Sequence, residues 1–303
     1  MTGKDVLAQG FRFGVFLTSA ALVWMAGFTA WRAVAAPVAV RPANAAASAT
    51  CVVDTNVGGR VTAVTAGDVL QLEDGRTIRL MGIEAVIADR AGQDVERAKL
   101  AQSAREALAK LVQGHVVSLG VGGRQTDRKG RLIAQVFLGK EWVQGAMVGA
   151  GLARVRTYSG NDACAIPLLQ REQSARVKGN GLWRHPEFAV RQAETVLARQ
   201  NGFTIVEGRV RSVSAIKSVV YLNFGEDYRS DFTVAITSKS FARFGQSDAD
   251  AIALFKALEG RTIRVRGYVR DRNGPMIYAD HPAQIEDLPL QPAPLARTSS
   301  ESQ

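Results

Sequence analysis

Sulfur and imidazole are scarce in this chain: its 303 residues include two cysteines, Cys51 and Cys164, and three histidines. His115, His185 and His281 stand at no spacing that pairs one with a cysteine or builds a nucleophile–base–acid triad, so the sequence offers no partner for a catalytic thiol. Acidic residues are also in deficit, 28 against 38 basic, for a formal charge of +10. The surplus is uneven: +3 over residues 1–49, +6 over 50–185 and +1 over 186–303. A basic unit attracts polyanions such as nucleic acid or anionic lipid, although basic surface also serves solubility alone. Apolar residues make up 47% of the chain and charged ones 22%, enough for two globular units with their own cores.

The uncharged apolar run Phe13 to Trp31 follows Lys4 and Arg12 and precedes Arg32. Beyond it lies an Ala-rich stretch containing Ala43-Asn44-Ala45 and Ala47-Ser48-Ala49. Small residues at alternate positions suit signal-peptidase cleavage. The apolar core, longer than the roughly 7–15 residues of an ordinary signal peptide, suits a retained membrane anchor, which is slightly favoured. Either way the rest of the chain is expected outside the cytoplasm, periplasmic or otherwise extracytoplasmic. An even pair of cysteines in an oxidising compartment reads first as a disulfide, Cys51 to Cys164, with two isolated buried thiols as the alternative.

Chemistry-bearing residues gather in Arg60 to Arg90, GRVTAVTAGDVLQLEDGRTIRLMGIEAVIADR after its leading glycine, and in Asp127-Arg128-Lys129-Gly130-Arg131. Arg60 to Val64, Val69 to Leu72 and Thr77 to Gly82 are β-patterned runs joined by the turn sequences Ala66-Gly67-Asp68 and Glu73-Asp74-Gly75. These residues resemble the staphylococcal nuclease family, whose pattern runs Asp-Gly-Asp-Thr, Arg-Leu, Asp-Thr/Ala-Pro-Glu and Asp-x-x-Gly-Arg. Asp68 matches the second Asp of the first motif, Glu84 the metal-binding Asp, and Arg79 and Arg131 the two arginines. The match is partial. Ala66 replaces the first Asp, Val69 the Thr, Val86 the Pro, and Ile87 the glutamate taken as general base.

The resemblance spans residues 51–185 and implies an OB-type five-stranded barrel with three helices. Gln93 to Val112 places Ala101, Ala104, Leu108 and Leu111 on one helical face, with Gly114 as the stop. Trp142 to Ala150 and Pro167 to Val177 supply the other helices. Residues 186–202 read as a helical connector. Residues 203–288 read as a second OB-like barrel, with strands at Phe203 to Ser214, Val219 to Phe224, Asp231 to Thr237, Thr262 to Val269 and Met276 to Ala279, and a helix at Asp248 to Leu258. The expected organisation is therefore 1–49 signal or anchor with linker, 50–185 nuclease-like domain, 186–202 connector, 203–288 second barrel and 289–303 disordered tail.

Phosphodiester hydrolysis requires that charge building on the phosphate oxygens be neutralised, which a metal and fixed guanidiniums both do. The resemblance implies that Asp68, Glu84 and the Ala85 carbonyl hold a weak Ca²⁺ while Arg79 and Arg131 grip the phosphate. With Ile87 at the base position, Asp89 is the remaining candidate to orient water. Tyr221, Phe224, Tyr228 and Phe232, interleaved with Lys217 and Arg229, form a candidate stacking face for single-stranded DNA or RNA, with core packing as the plainer alternative. The leading expectation is an exported, thermonuclease-like protein that binds nucleic acid and cleaves it feebly or not at all. The alternatives are an active Ca²⁺-dependent endonuclease and a non-catalytic envelope scaffold that binds another protein.

Overall fold

The computed structural model describes residues 51, 53–55, 57–88, 94–198 and 202–288. The expected anchor at 13–31, Asp89 and the tail 289–303 lie outside the described residues. Among the described residues no helix is long and apolar enough to cross a membrane.

The first sheet is built from β1 (Val57–Ala66), β2 (Val69–Leu72) and β3 (Thr77–Leu80), a meander whose alternating residues fill a core. A short β4 (Ile83–Ala85) leads to α1 (Val95–Val112), capped by the Asp94 side chain accepting from the Arg97 N–H. Such a cap satisfies one of the free donors at a helix start. Then come β5 (Val116–Thr126), β6 (Leu132–Leu138), the two-residue β7 (Glu141–Trp142), α2 (Val143–Gly149), β8 (Ala153–Val155) and α3 (Ala165–Val177). Strand order β3-β2-β1-β5-β6 is closed by parallel pairing of β3 with β6, giving a five-stranded barrel with three helices. The separate pair β4–β8 sets Glu84 opposite Arg154. Cys51 and Cys164 form a disulfide with Cα atoms 5.2 Å apart, tying the start of the barrel to the N-terminus of α3.

The connector is not helical as expected. Its described part holds 3-10 turns at Pro186–Phe188 and Ala193–Thr195 around β9 (Arg191–Gln192), following another at Gly181–Arg184 that ends the first domain. The reason lies in its apolar anchors. Leu182 and Phe188 pack with Val86, whereas Ala193 and Val196 enter the second core, so one helical stripe could not serve both.

The second sheet comprises β10 (Gly202–Arg209), β11 (Ser212–Ile216), β12 (Val219–Asn223), β13 (Thr233–Thr237), β14 (Thr262–Asp271), β15 (Pro275–Tyr278) and β16 (Ile285–Asp287). The short α4 (Ser238–Phe241) and α5 (Asp248–Lys256), the latter with a Ser247/Asp250 capping box, lie between β13 and β14. The path β11-β12-β13-β15-β14-β10 returns on itself, because β10 and β11 are halves of one strand bent at Val210 and Arg211. Its parallel step is again between the third and fifth strands, β13 and β15, as in an OB-fold.

Charge joins the two barrels. Arg266 of β14, 1% exposed, donates to Glu172 of α3 at 2.9 Å, to Glu286 at 2.6 Å and to the Val155 carbonyl at 3.1 Å. Arg264 spans from Glu207 (2.7 Å) to Gln173 (3.2 Å), and Arg176 pairs with Glu172 at 3.0 Å. Buried charges of this kind are tolerated only when mutually satisfied, so the network holds the barrels in one geometry.

Candidate nucleic-acid interface

The bend Ala66-Gly67-Asp68 is wedged between α1 and β4. A Cβ on Gly67 would lie 2.6 Å from that of Ala104 and 2.8 Å from that of Ala85. This close fit sinks Asp68 to 4% exposure. Burial raises its pKa, opposed by Arg79 and reinforced by Glu84, while the Ala85 backbone N–H and Arg131 favour the charged form. Arg79, on β3 next to the bend, reaches Asp68 with Nη2 to Oδ2 at 3.2 Å.

Arg131 enters from the opposite strand. It immediately precedes β6, and the parallel register Ile78↔Leu132 sets it near Arg79. Asp127 fixes the turn by accepting the N–H groups of Lys129 (2.8 Å) and Arg131 (3.1 Å), and it holds the Arg131 Nε at 2.7 Å. Burial alone would raise the Asp127 pKa, but these bonds together bring it below the usual carboxylate value. The guanidinium is thereby oriented before any ligand arrives. Asp68, Arg79 and Arg131, far apart in sequence, come together as expected.

Glu84 is differently placed. Arg154, directly across the β4–β8 pair, binds its Oε2 at 3.0 Å, and Arg156, two residues on and so on the same strand face, binds its Oε1. Arg154 also donates to the Phe203 carbonyl at 2.9 Å and lies 4.7 Å from that ring. Ala85 meets Asp68 through its backbone N–H. A calcium ion wants about six to eight oxygens. Here both Glu84 oxygens are held by guanidiniums and Asp68 is paired with Arg79.

The second barrel reshapes the surroundings. Phe203 and Tyr268 border two clefts: one of about 750 Å³ that holds Arg79, Asp127, Arg131 and Arg156, and one of about 440 Å³ that holds Glu84, Ala85 and Ile87. Ile87 is 62% exposed and its carbonyl accepts from Arg97 at 2.9 Å. The larger cleft also carries Arg124, Arg128, Lys129 and Arg270. On its wall the Thr157 hydroxyl meets His281 Nε2 at 2.7 Å, and His281 Nδ1 meets Asp280 at 2.5 Å, across the two barrels. The lone histidine thus has partners that its sequence spacing conceals.

Of the candidate stacking face, the two phenylalanines follow the plainer alternative, core packing. Phe224 and Phe232 pack against each other tilted at 54°, ring centroids 5.0 Å apart, inside the second core, and Tyr221 is half-buried. Of that group Lys217, Tyr228 and Arg229 are exposed, with the Arg229 guanidinium 5.7 Å from the Tyr228 ring. Alternation on a barrel strand sends such aromatics inward. Sequence reasoning missed Arg154, Arg156, Tyr268 and His281. The available signal was Arg154-Val155-Arg156, whose period of two puts both arginines on one face.

No curated protein matches the chain. Residues 77–185 match the family described as staphylococcal nuclease homologue. The match begins in β3, and β1 and β2, which flank the bend bearing Asp68, complete that barrel; the second barrel lies beyond it. The chain carries a staphylococcal nuclease-like domain.

Proposed function

We propose that this is an exported nucleic-acid-binding protein whose nuclease-like cleft holds phosphodiesters without a resident metal and turns them over weakly or not at all. One observation carries the reading: both oxygens of Glu84 are taken by Arg154 and Arg156. Counting Asp68 and Glu84 against Arg79, Arg154 and Arg156, the cluster has one positive charge in surplus and favours an anion over a divalent cation. Arg79 and the pre-oriented Arg131 then contact the phosphate, and Arg124, Arg128, Lys129 and Arg270 extend the positive field.

Turnover is weak for a separate reason. A general base is worth about 10²–10⁴ in rate, and Ile87 accepts no proton. A calcium-dependent endonuclease would need Glu84 to release two guanidiniums and another group to activate water. The Cys51–Cys164 bridge supports an oxidising compartment, reached through residues 1–49, with residues 13–31 as the membrane tether. A labelled oligonucleotide titrated with the chain tests the phosphate reading. Arg79→Ala and Arg131→Ala should each weaken binding about tenfold or more, the worth of a charge-assisted contact. Unchanged affinity in both variants sinks it.

A further inference from the structure

The larger cleft has a feature that phosphate binding does not use. Tyr268 and Tyr278 of the second barrel line it, 42% and 43% exposed, with Tyr158 of the first barrel at 44%. Tyr268 lies on β14 and Tyr278 on β15. Continuing the antiparallel register Val269↔Ile277 by one residue sets the two tyrosines opposite each other. Cross-strand neighbours have Cβ atoms about 5 Å apart, so the two tyrosines stand side by side on the same cleft wall. Val269 between them and Arg270 is buried, and Arg270, two residues after Tyr268, shares its face and lines the same cleft.

The rings are braced. Phe203 supports Tyr268 edge-on, centroids 5.8 Å apart at 75°. The Arg156 guanidinium lies 5.0 Å from the Tyr158 ring and 4.8 Å from the Tyr268 ring, joining aromatic surface of both barrels. A fixed ring loses little side-chain entropy when a flat partner stacks on it. Exposed tyrosines beside a row of arginines suit a ligand with both phosphates and accessible π-faces. Duplex bases are stacked and paired; single-stranded bases are free to stack on protein.

We propose that the second barrel completes the cleft as a stacking platform, Tyr268 and Tyr278 taking unpaired bases while Arg79, Arg131 and Arg270 follow the backbone of a single strand. This rests on the phosphate reading above and names its occupant as single-stranded nucleic acid.

Fluorescence anisotropy on the full chain decides it, using a labelled thymidine oligonucleotide, an abasic oligonucleotide of equal length and a duplex. Base–aromatic stacking is worth about 5- to 100-fold per base. Tyr268→Leu and Tyr278→Leu should each weaken thymidine binding by that factor and leave abasic binding unchanged, while Tyr268→Phe and Tyr278→Phe retain it. Equal affinity for base-bearing and abasic strands, a duplex bound as tightly as the single strand, or Leu variants that bind like the unaltered chain would each overturn the platform and leave the phosphate reading standing. Failure to bind any of the three ligands overturns both.

Discussion

The two barrels share a topology and differ at the same two places. In each, the turn between the antiparallel fourth and fifth strands begins Asp-Arg and has a left-handed glycine fourth: Asp127-Arg128-Lys129-Gly130-Arg131 with Gly130 at φ 75°, and Asp271-Arg272-Asn273-Gly274-Pro275 with Gly274 at φ 89°. The residue after that glycine is Arg131 in one and Pro275 in the other. The third strands differ likewise. β3 presents Arg79 between buried Ile78 and Leu80, whereas Thr233 to Ile236 of β13 are all buried. The turn and the parallel strand pair therefore serve the fold in both barrels, while arginines at these two places line the cleft in only the first. The second barrel contributes instead through the outer residues of β14 and β15, which face its neighbour.

The comparison breaks most severely at the joint. Arg266→Ala leaves Glu172 and Glu286 buried without their shared partner and should cost about 3–5 kcal/mol, dividing one cooperative unfolding transition into two in urea. A single transition at an unchanged midpoint would show that the network does not couple the barrels. Arg131→Pro makes the first turn resemble the second. It removes the N–H that Asp127 accepts, so it should lower the melting temperature while circular dichroism keeps the barrel's signature, since Pro275 occupies the equivalent place, and it should weaken oligonucleotide binding about 10- to 100-fold.

Acid provides a finer contrast. Burial is the largest influence on Glu286, yet Arg266 and Arg264 outweigh it and its pKa falls below 4.5; Asp127 likewise lies below 3.8. A depressed carboxylate stabilises above its unfolded pKa, and that stability is lost as pH falls through the folded value, so both groups predict a loss of stability below about pH 4. Asp68 has the opposite sign. Its pKa is raised above 3.8 by burial, so its contribution is full below 3.8 and lost as pH rises through the folded value. Asp68→Asn should therefore melt no lower than the unaltered chain at pH 7, with the difference vanishing in acid. It should also bind oligonucleotide a few-fold more tightly in chelator, because Arg79 is released; lower affinity in chelator would mean that the carboxylate orients Arg79 for the phosphate, and lower affinity only with Ca²⁺ present would mean that it holds a metal.

Much of this was legible in the sequence where local rules decide. The meander, the two turns and the helices ended by glycine follow from short-range patterning, whereas the approach of Arg131 to Arg79 is implied by the family resemblance and depends on β3 pairing with β6. The misses all involve long-range pairing. Nothing within residues 83–87 says that Glu84 will be neutralised by Arg154 and Arg156, because that depends on β8 pairing with β4. Phe224 reads first as core, with a stacking surface as the alternative, and the closed barrel places it in the core. Tyr268 and Tyr278 look like ordinary strand residues until Arg266, buried against α3, turns their face toward the first barrel.

The most direct test of the central claim is binding and cleavage of labelled single-stranded DNA and RNA by the purified chain in millimolar Ca²⁺ and in chelator, with Ile87→Glu beside it. The account predicts equal affinity in the two conditions and little or no cleavage by the unaltered chain. Calcium-dependent cleavage, or affinity that collapses in chelator, would contradict it and assign the site to a working metal-dependent nuclease.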